Sequence, residues 1–124
     1  MSVPAIRPLK ILVVDDEPAI RDLILAVLED EGYIAVGASS AIDALEVIAD
    51  ERPDLVLMDI MMPEMDGREA FQRMRERPEL AAIPVVMMSA AYAADRVPNN
   101  VAGFLSKPFE LDHLLATISG LLSA

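Results

Sequence analysis

Several polar residues stand where short apolar runs stop. Asp15 and Asp16 follow Ile11–Val14, Asp59 follows Leu55–Met58, Ser89 follows Pro84–Met88, and Ser106 and Lys107 follow Ala102–Leu105. Three carboxylates brought together repel, and one would take a proton unless a cation shares the site. A hard divalent ion resolves the conflict. Mg²⁺ suits best, because it keeps several waters and needs only one or two carboxylates plus phosphate oxygens. Lys107 cannot ligate a metal but can hold a phosphoryl oxygen as a point charge, and Ser89 can donate to another oxygen of the same group. Such a set suits phosphoryl transfer to Asp59 as an acyl phosphate.

These residues can converge only if the runs before them are neighbouring strands. Lys10–Val14, Ile34–Ala38, Leu55–Met58, Pro84–Met88 and Ala102–Leu105 are continuous rather than alternating apolar runs, as a parallel sheet covered on both faces requires. Between them lie helical patterns. After Pro18 come Ile20, Leu23, Ile24, Val27 and Leu28, until Gly32 stops the helix. Ser39 or Ser40 can cap a helix that turns Ala41, Ala44, Leu45 and Ile48 inward. Gly67–Arg77 offers Ala70, Phe71 and Met74, and the stretch from Glu110 to about Leu122 offers Leu111, Leu114, Leu115, Ile118 and Leu121. The expected fold is an α/β open doubly wound sheet of five parallel strands in the order 2-1-3-4-5, with helices on both faces. In such a sheet ligands bind beyond the carboxyl ends of the strands, where the polar residues cluster.

Composition sets the bounds. The 124 residues suit one domain over 1–124, and 54% are hydrophobic, enough for a sizeable core. A net charge of −11 disfavours direct binding to nucleic acid or to an anionic membrane surface. Without cysteine there is no disulfide, thiolate nucleophile or zinc ribbon. Met1–Lys10 has no apolar run of the signal-peptide kind, and the apolar stretches are too short to span a bilayer. A cytoplasmic location is expected.

At this point the motifs carry a family resemblance. Val13–Glu17 (VVDDE), Leu57–Gly67 (LMDIMMPEMDG), Ser89–Ala90 and Lys107–Phe109 (KPF) resemble the receiver domain of two-component response regulators, from Ile11 to the last helix. The resemblance implies that Asp59 is the phosphoacceptor and that Mg²⁺ is held by Asp15, Asp16, Asp59 and the backbone carbonyl of Met61. It implies that Ser89 and Lys107 bind phosphoryl oxygens and that the Lys107–Pro108 peptide is cis, which X–Pro bonds permit. Phe104 falls at the family's switching aromatic, paired with Ser89. The implied partners are a histidine kinase or histidine phosphotransfer protein and a downstream protein. The chain would then be a signalling phosphoacceptor rather than an enzyme, promoting only its own phosphoryl transfer and hydrolysis.

Blander readings stand beside these. An acidic pair after a strand also serves as a helix-start signal, Lys107 could be a solvated turn residue, and Phe104 could simply pack. Met58, Met87 and one of Met61, Met62 and Met65 read as gap-filling core. His113 reads as a surface residue, and Arg68, Arg73, Arg75 and Arg77 as a solvated basic face. One departure concerns the helix expected between the fourth and fifth strands. Only 18 positions separate Ser89 from Lys107, about one helical turn fewer than the family shows, and Pro98, Asn99 and Asn100 are breakers. That helix is expected to cover a turn or two around Ala91–Val97, or to be an irregular loop. A pseudo-receiver, keeping the fold as an interaction module without phosphorylation, is the alternative. An aspartyl-phosphate phosphatase would need a carboxylate at Met61, and a flavin carrier a phosphate loop where Asp15–Glu17 would repel phosphate.

Overall fold

The computed structural model describes residues 7–90 and 96–123. Its elements are β1 (Lys10–Val14), α1 (Pro18–Asp30), β2 (Ile34–Ala38), α2 (Ala41–Glu51), β3 (Leu55–Asp59), α3 (Gly67–Arg75), α4 (Pro78–Ala81), β4 (Val85–Ala90), β5 (Gly103–Lys107) and α5 (Leu111–Leu122). All five strands are parallel, in the order β2-β1-β3-β4-β5. The expected architecture is the observed one. β3 lies at the centre, between β1 and β4, so its last residue, Asp59, sits at the middle of the sheet's carboxyl edge.

The inner strands β1, β3 and β4 are largely apolar because each feeds two cores, while the edge strands β2 and β5 are only partly buried. On one face Leu12, Val14, Val56, Met58, Val85 and Met87 pack with Ala44, Ile48, Ala70, Met74 and Leu80, from α2, α3 and α4. On the other, Ile11, Val13, Leu55, Leu57, Val86 and Met88 pack with Ile24, Leu28, Leu114 and Ile118, from α1 and α5. Consecutive strand residues alternate between these faces, which is the pleat expressed as packing. No helix among the described residues is long and apolar enough to cross a membrane.

Local chemistry fixes the helix ends. The Ser40 hydroxyl accepts from Asp43 N at 3.1 Å and Asp66 from Glu69 N at 3.0 Å, each satisfying an orphan donor of a first turn. Gly32 takes φ +92° just after α1, a conformation that favours glycine. Two expectations from periodicity fail at the stripe edges: Leu23 of α1 is 52% exposed and Leu121 of α5 is 39% exposed. A stripe of 3.6-residue period is wider than the contact its neighbours offer. The single turn α4 was not anticipated, since four residues carry no periodicity. Ala91–Val97, where the short helix was expected, lies largely outside the described residues; only Arg96 and Val97 fall within them, in a short turn.

Candidate functional site

The sheet itself gathers the site. Asp15 continues β1, its N–H still bonded to the Ala38 carbonyl at 3.2 Å, and its side chain is fully buried. Asp59 ends β3 and is 4% exposed. Ser89, 2% exposed, lies one residue beyond Met88, the β4 partner of Asp59. Lys107 closes β5 opposite Ala90. The strands run longer than expected: Asp59, Ser89, Ser106 and Lys107 all belong to them rather than following them.

Lys107 ties the ends together. Its Nζ donates to Asp15 Oδ2 at 2.8 Å and to Asp59 Oδ2 at 3.0 Å. The other oxygen of each carboxylate takes a backbone donor two residues on, Glu17 N to Asp15 Oδ1 at 3.0 Å and Met61 N to Asp59 Oδ1 at 3.2 Å. Burial is the largest influence on Asp59 and pushes its carboxyl above the ordinary range; Asp15 adds to the rise and Lys107 opposes it. Burial alone would lower Lys107, but the two carboxylates together outweigh it and hold the ammonium above its usual value. This end of the sheet is therefore charged, buried and only partly compensated.

Asp15, Asp16 and Asp59 place one carboxylate oxygen each within 4.8 Å of one another, and Asp16 is exposed. Hard oxygen donors without nitrogen or sulfur suit a hard divalent cation. The contact that Met61 makes in the site is through its N–H; its side chain is 44% exposed, Met62 is buried and Met65 half-buried. So Met62 is the loop methionine that fills the core, beside Met58 and Met87. The Lys107–Pro108 peptide is cis. Phe104, opposite Met87 in β5, is half-buried and packs with Val97 and Val101 against the α2–α3 face. His113 is exposed, as expected.

Three features escaped the sequence reading. Arg21 Nη1 donates to the Asp15 carbonyl at 2.7 Å, clamping the acidic turn from α1. Gly67 N donates to the Ile60 carbonyl at 2.9 Å, folding the Met61–Asp66 loop back so closely that a Cβ at Gly67 would collide with the Asp59 carbonyl oxygen. Beside Lys107, an apolar groove of about 380 Å³ runs between Ile20, Leu23 and Ile24 of α1 and Pro108, Phe109 and Leu111. Leu23, expected in the core, lines it.

Comparison with known proteins agrees with this geometry. Residues 11–119 match the family model for the response regulator receiver domain. The chain is 40% identical over 121 residues to the response regulator Rre1 of Synechocystis sp., covering 94% of this chain and 52% of that protein. It is 38% identical to the response regulator MprA of a Mycobacterium species, covering 93% and 51%. The chain thus spans about half the length of the curated relatives it matches. Among solved structures, the chemotaxis protein CheY4 of Vibrio cholerae superposes with a TM-score of 0.87 at 28% identity, covering 94% of this chain and all of that one. The N-terminal domain of a response regulator receiver protein from Methanoculleus marisnigri gives 0.73 at 36% identity, covering 93% and 97%. By sequence and fold together, the chain belongs to the response regulator receiver domain family, a family of signalling domains rather than classical enzymes.

Proposed function

We propose that this chain is a phosphorylatable switch of a two-component or phosphorelay system. The observation that carries the reading is the ammonium of Lys107 set between the buried carboxylates of Asp15 and Asp59, with Asp16 completing an all-oxygen donor set. An Asp59 oxygen attacks the phosphorus of a phosphohistidine on a histidine kinase or histidine phosphotransfer protein. The P–N bond breaks, its electron pair stays on the imidazole, and Asp59 carries an acyl phosphate. Water later attacks the same phosphorus, the P–O bond to Asp59 breaks, and inorganic phosphate leaves the restored carboxylate.

Asp15, Asp16, Asp59 and the Met61 carbonyl would hold Mg²⁺, whose chemistry is to neutralise the carboxylates and the phosphoryl oxygens. Lys107 holds one phosphoryl oxygen, and the Ser89 hydroxyl donates to another. Phe104 follows Ser89 inward, so that a buried chemical event changes the shape a downstream protein meets. Without a hydroxyl, Phe104 reports its position by burial alone. The apolar groove beside Lys107 seats the phosphodonor protein, with Leu23 as its exposed contact. The acidic surface keeps the chain off nucleic acid and membranes, and its working place is the cytoplasm.

The test is intact mass after incubation with a small-molecule phosphodonor, with and without Mg²⁺, beside Asp59→Asn. One added phosphoryl group that needs both Mg²⁺ and Asp59 is the expected result. No adduct, together with no binding of a fluoroberyllate analogue, would replace the switch with a non-phosphorylated interaction module.

A further inference from the structure

Five of this acidic chain's ten Lys and Arg residues, Arg68, Arg73, Arg75, Arg77 and Arg96, fall between positions 68 and 96, beside four acidic ones, Glu69, Glu76, Glu79 and Asp95. Arg68, Gln72 and Arg75 share one stripe of α3. That stripe meets Pro98 and Asn100 across a cleft of about 280 Å³, also lined by Phe71.

The arginines of α3 and the turn after it are not equivalent. Arg73 pairs with Glu69 at 2.9 Å, Arg77 with Glu79 at 3.0 Å and Arg68 with Asp66 at 3.2 Å. Arg75 has no carboxylate partner among the described residues; its guanidinium lies over the Phe71 ring, 5.7 Å from the centroid. A guanidinium held on a ring face is pre-oriented, and its edge donors stay open to a planar acceptor such as a carboxylate. Among the described residues, no acidic one lines the cleft.

We propose that this cleft binds a short acidic segment of a protein partner. The segment sets a carboxylate against Arg75 and an apolar side chain against Phe71 and Pro98. The amides of Gln72 and Asn100 offer both donors and acceptors to its backbone. The cleft lies at the lower edge of the ~300–1,000 Å³ of small-molecule sites, a size that suits the side chains of a segment better than a whole cofactor. A second copy of the chain fits less well, because two bodies of net charge −11 repel. A short segment feels mainly the charges within a Debye length, about 10 Å at 0.1 M salt, and here the charge left without an acidic partner among the described residues is that of Arg75. The proposal is independent of the chemistry at Asp59.

The test titrates the ¹⁵N-labelled chain with the capped peptide acetyl-Asp-Leu-Glu-Glu-Leu-amide and with its neutral Asn-Leu-Gln-Gln-Leu counterpart. The acidic peptide is expected to shift the side-chain amides of Gln72 and Asn100 and the Nε–H of Arg75, and the neutral one to leave them unmoved. Arg75→Gln should weaken binding by up to about fivefold, the upper scale of one exposed charge pair. Arg75→Lys should recover less than half of that loss, since lysine lacks the planar fork. Phosphoryl uptake by Asp59 should be unchanged in Arg75→Gln, so a failure here is distinguishable from a failure of the switch. Shifts spread evenly over every arginine, or binding indifferent to Arg75→Gln, would overturn the proposal. An Arg75-dependent dimer in sedimentation would also overturn it, assigning the cleft to a second copy.

Discussion

Both ends of the sheet carry basic groups against aspartates, and they behave oppositely. At the amino end Asp54 accepts from Arg7 through two bonds, at 2.6 and 2.9 Å, and from Lys10 N at 2.7 Å, while Lys10 Nζ pairs with Glu51. The Arg7 side chain is 70% exposed. Here the side-chain bond from Arg7 is the largest influence, and it holds Asp54 below the ordinary carboxylate range. At the carboxyl end Lys107 faces Asp15 and Asp59 under far deeper burial, and Asp59 is held above that range. Pairing stabilises a carboxylate only while its desolvation stays cheaper than its partners. One end is built to stay charged and inert. The other keeps a charge at a cost, as the proposed binding of a cation or a phosphoryl group would require.

The sharpest way to break this contrast is to neutralise each aspartate in turn. Asp59→Asn should abolish phosphoryl uptake, read as adduct mass, yet raise the urea midpoint in metal-free buffer, because it removes a carboxylate that burial disfavours. Asp54→Asn should leave the adduct intact and cost on the order of 1 kcal/mol. Two losses of stability would erase the distinction between the ends.

Crowding separates the ends as well. Gly67→Ala drives a methyl into the Asp59 backbone and should cost about 1–3 kcal/mol in chemical denaturation. Gly120, late in α5, has nothing within 4 Å of an added Cβ, and Gly120→Ala should gain about 0.5–1 kcal/mol. Acid titration sharpens the same point. A lowered folded value gives Asp54 a contribution that is present above the unfolded value of about 3.9 and lost as pH falls through the folded one. A raised value gives Asp59 the opposite sign, so its penalty is relieved as pH falls from neutrality through its folded value. Urea midpoints from pH 7 to 3 should thus lose their rise on mild acidification in Asp59→Asn, and part of their fall at the acid end in Asp54→Asn. The smallest effect is expected for Arg7→Ala, a slight loss that shrinks further in 0.5 M salt, read as the salt dependence of the melting temperature.

The arrangement of strands was legible because the inner strands β1, β3 and β4 are buried on both faces and so read as nearly unbroken apolar runs. The bounds of β1 and β2 match that reading, and the order of the sheet is the expected one. The convergence of Asp15, Asp16, Asp59, Ser89 and Lys107 at one edge was legible for the same reason, since strand ends in a parallel sheet share an edge. What escaped the sequence was contact between distant positions. Nothing near Lys107 says that it bridges two carboxylates up to 92 positions away. The Arg7–Asp54 pair, 47 positions apart, is equally silent. Leu23 fits the apolar stripe of α1 by spacing, and only the position of Pro108, Phe109 and Leu111 shows that it lines a groove. The turn α4 had a faint signal, Pro78 at a first position followed by Glu79.

The double grip of Lys107 on Asp15 and Asp59 has a consequence for how an ion would be used. With a resident ammonium the acidic edge can assemble before any divalent ion arrives, so the ion would be an exchangeable cofactor rather than part of the scaffold. An incoming ion would share its carboxylates with that ammonium, which would keep its hold loose and its occupancy tied to the free concentration around it. Responsiveness of the switch would then follow ambient ion supply, without any change in the amount of folded protein.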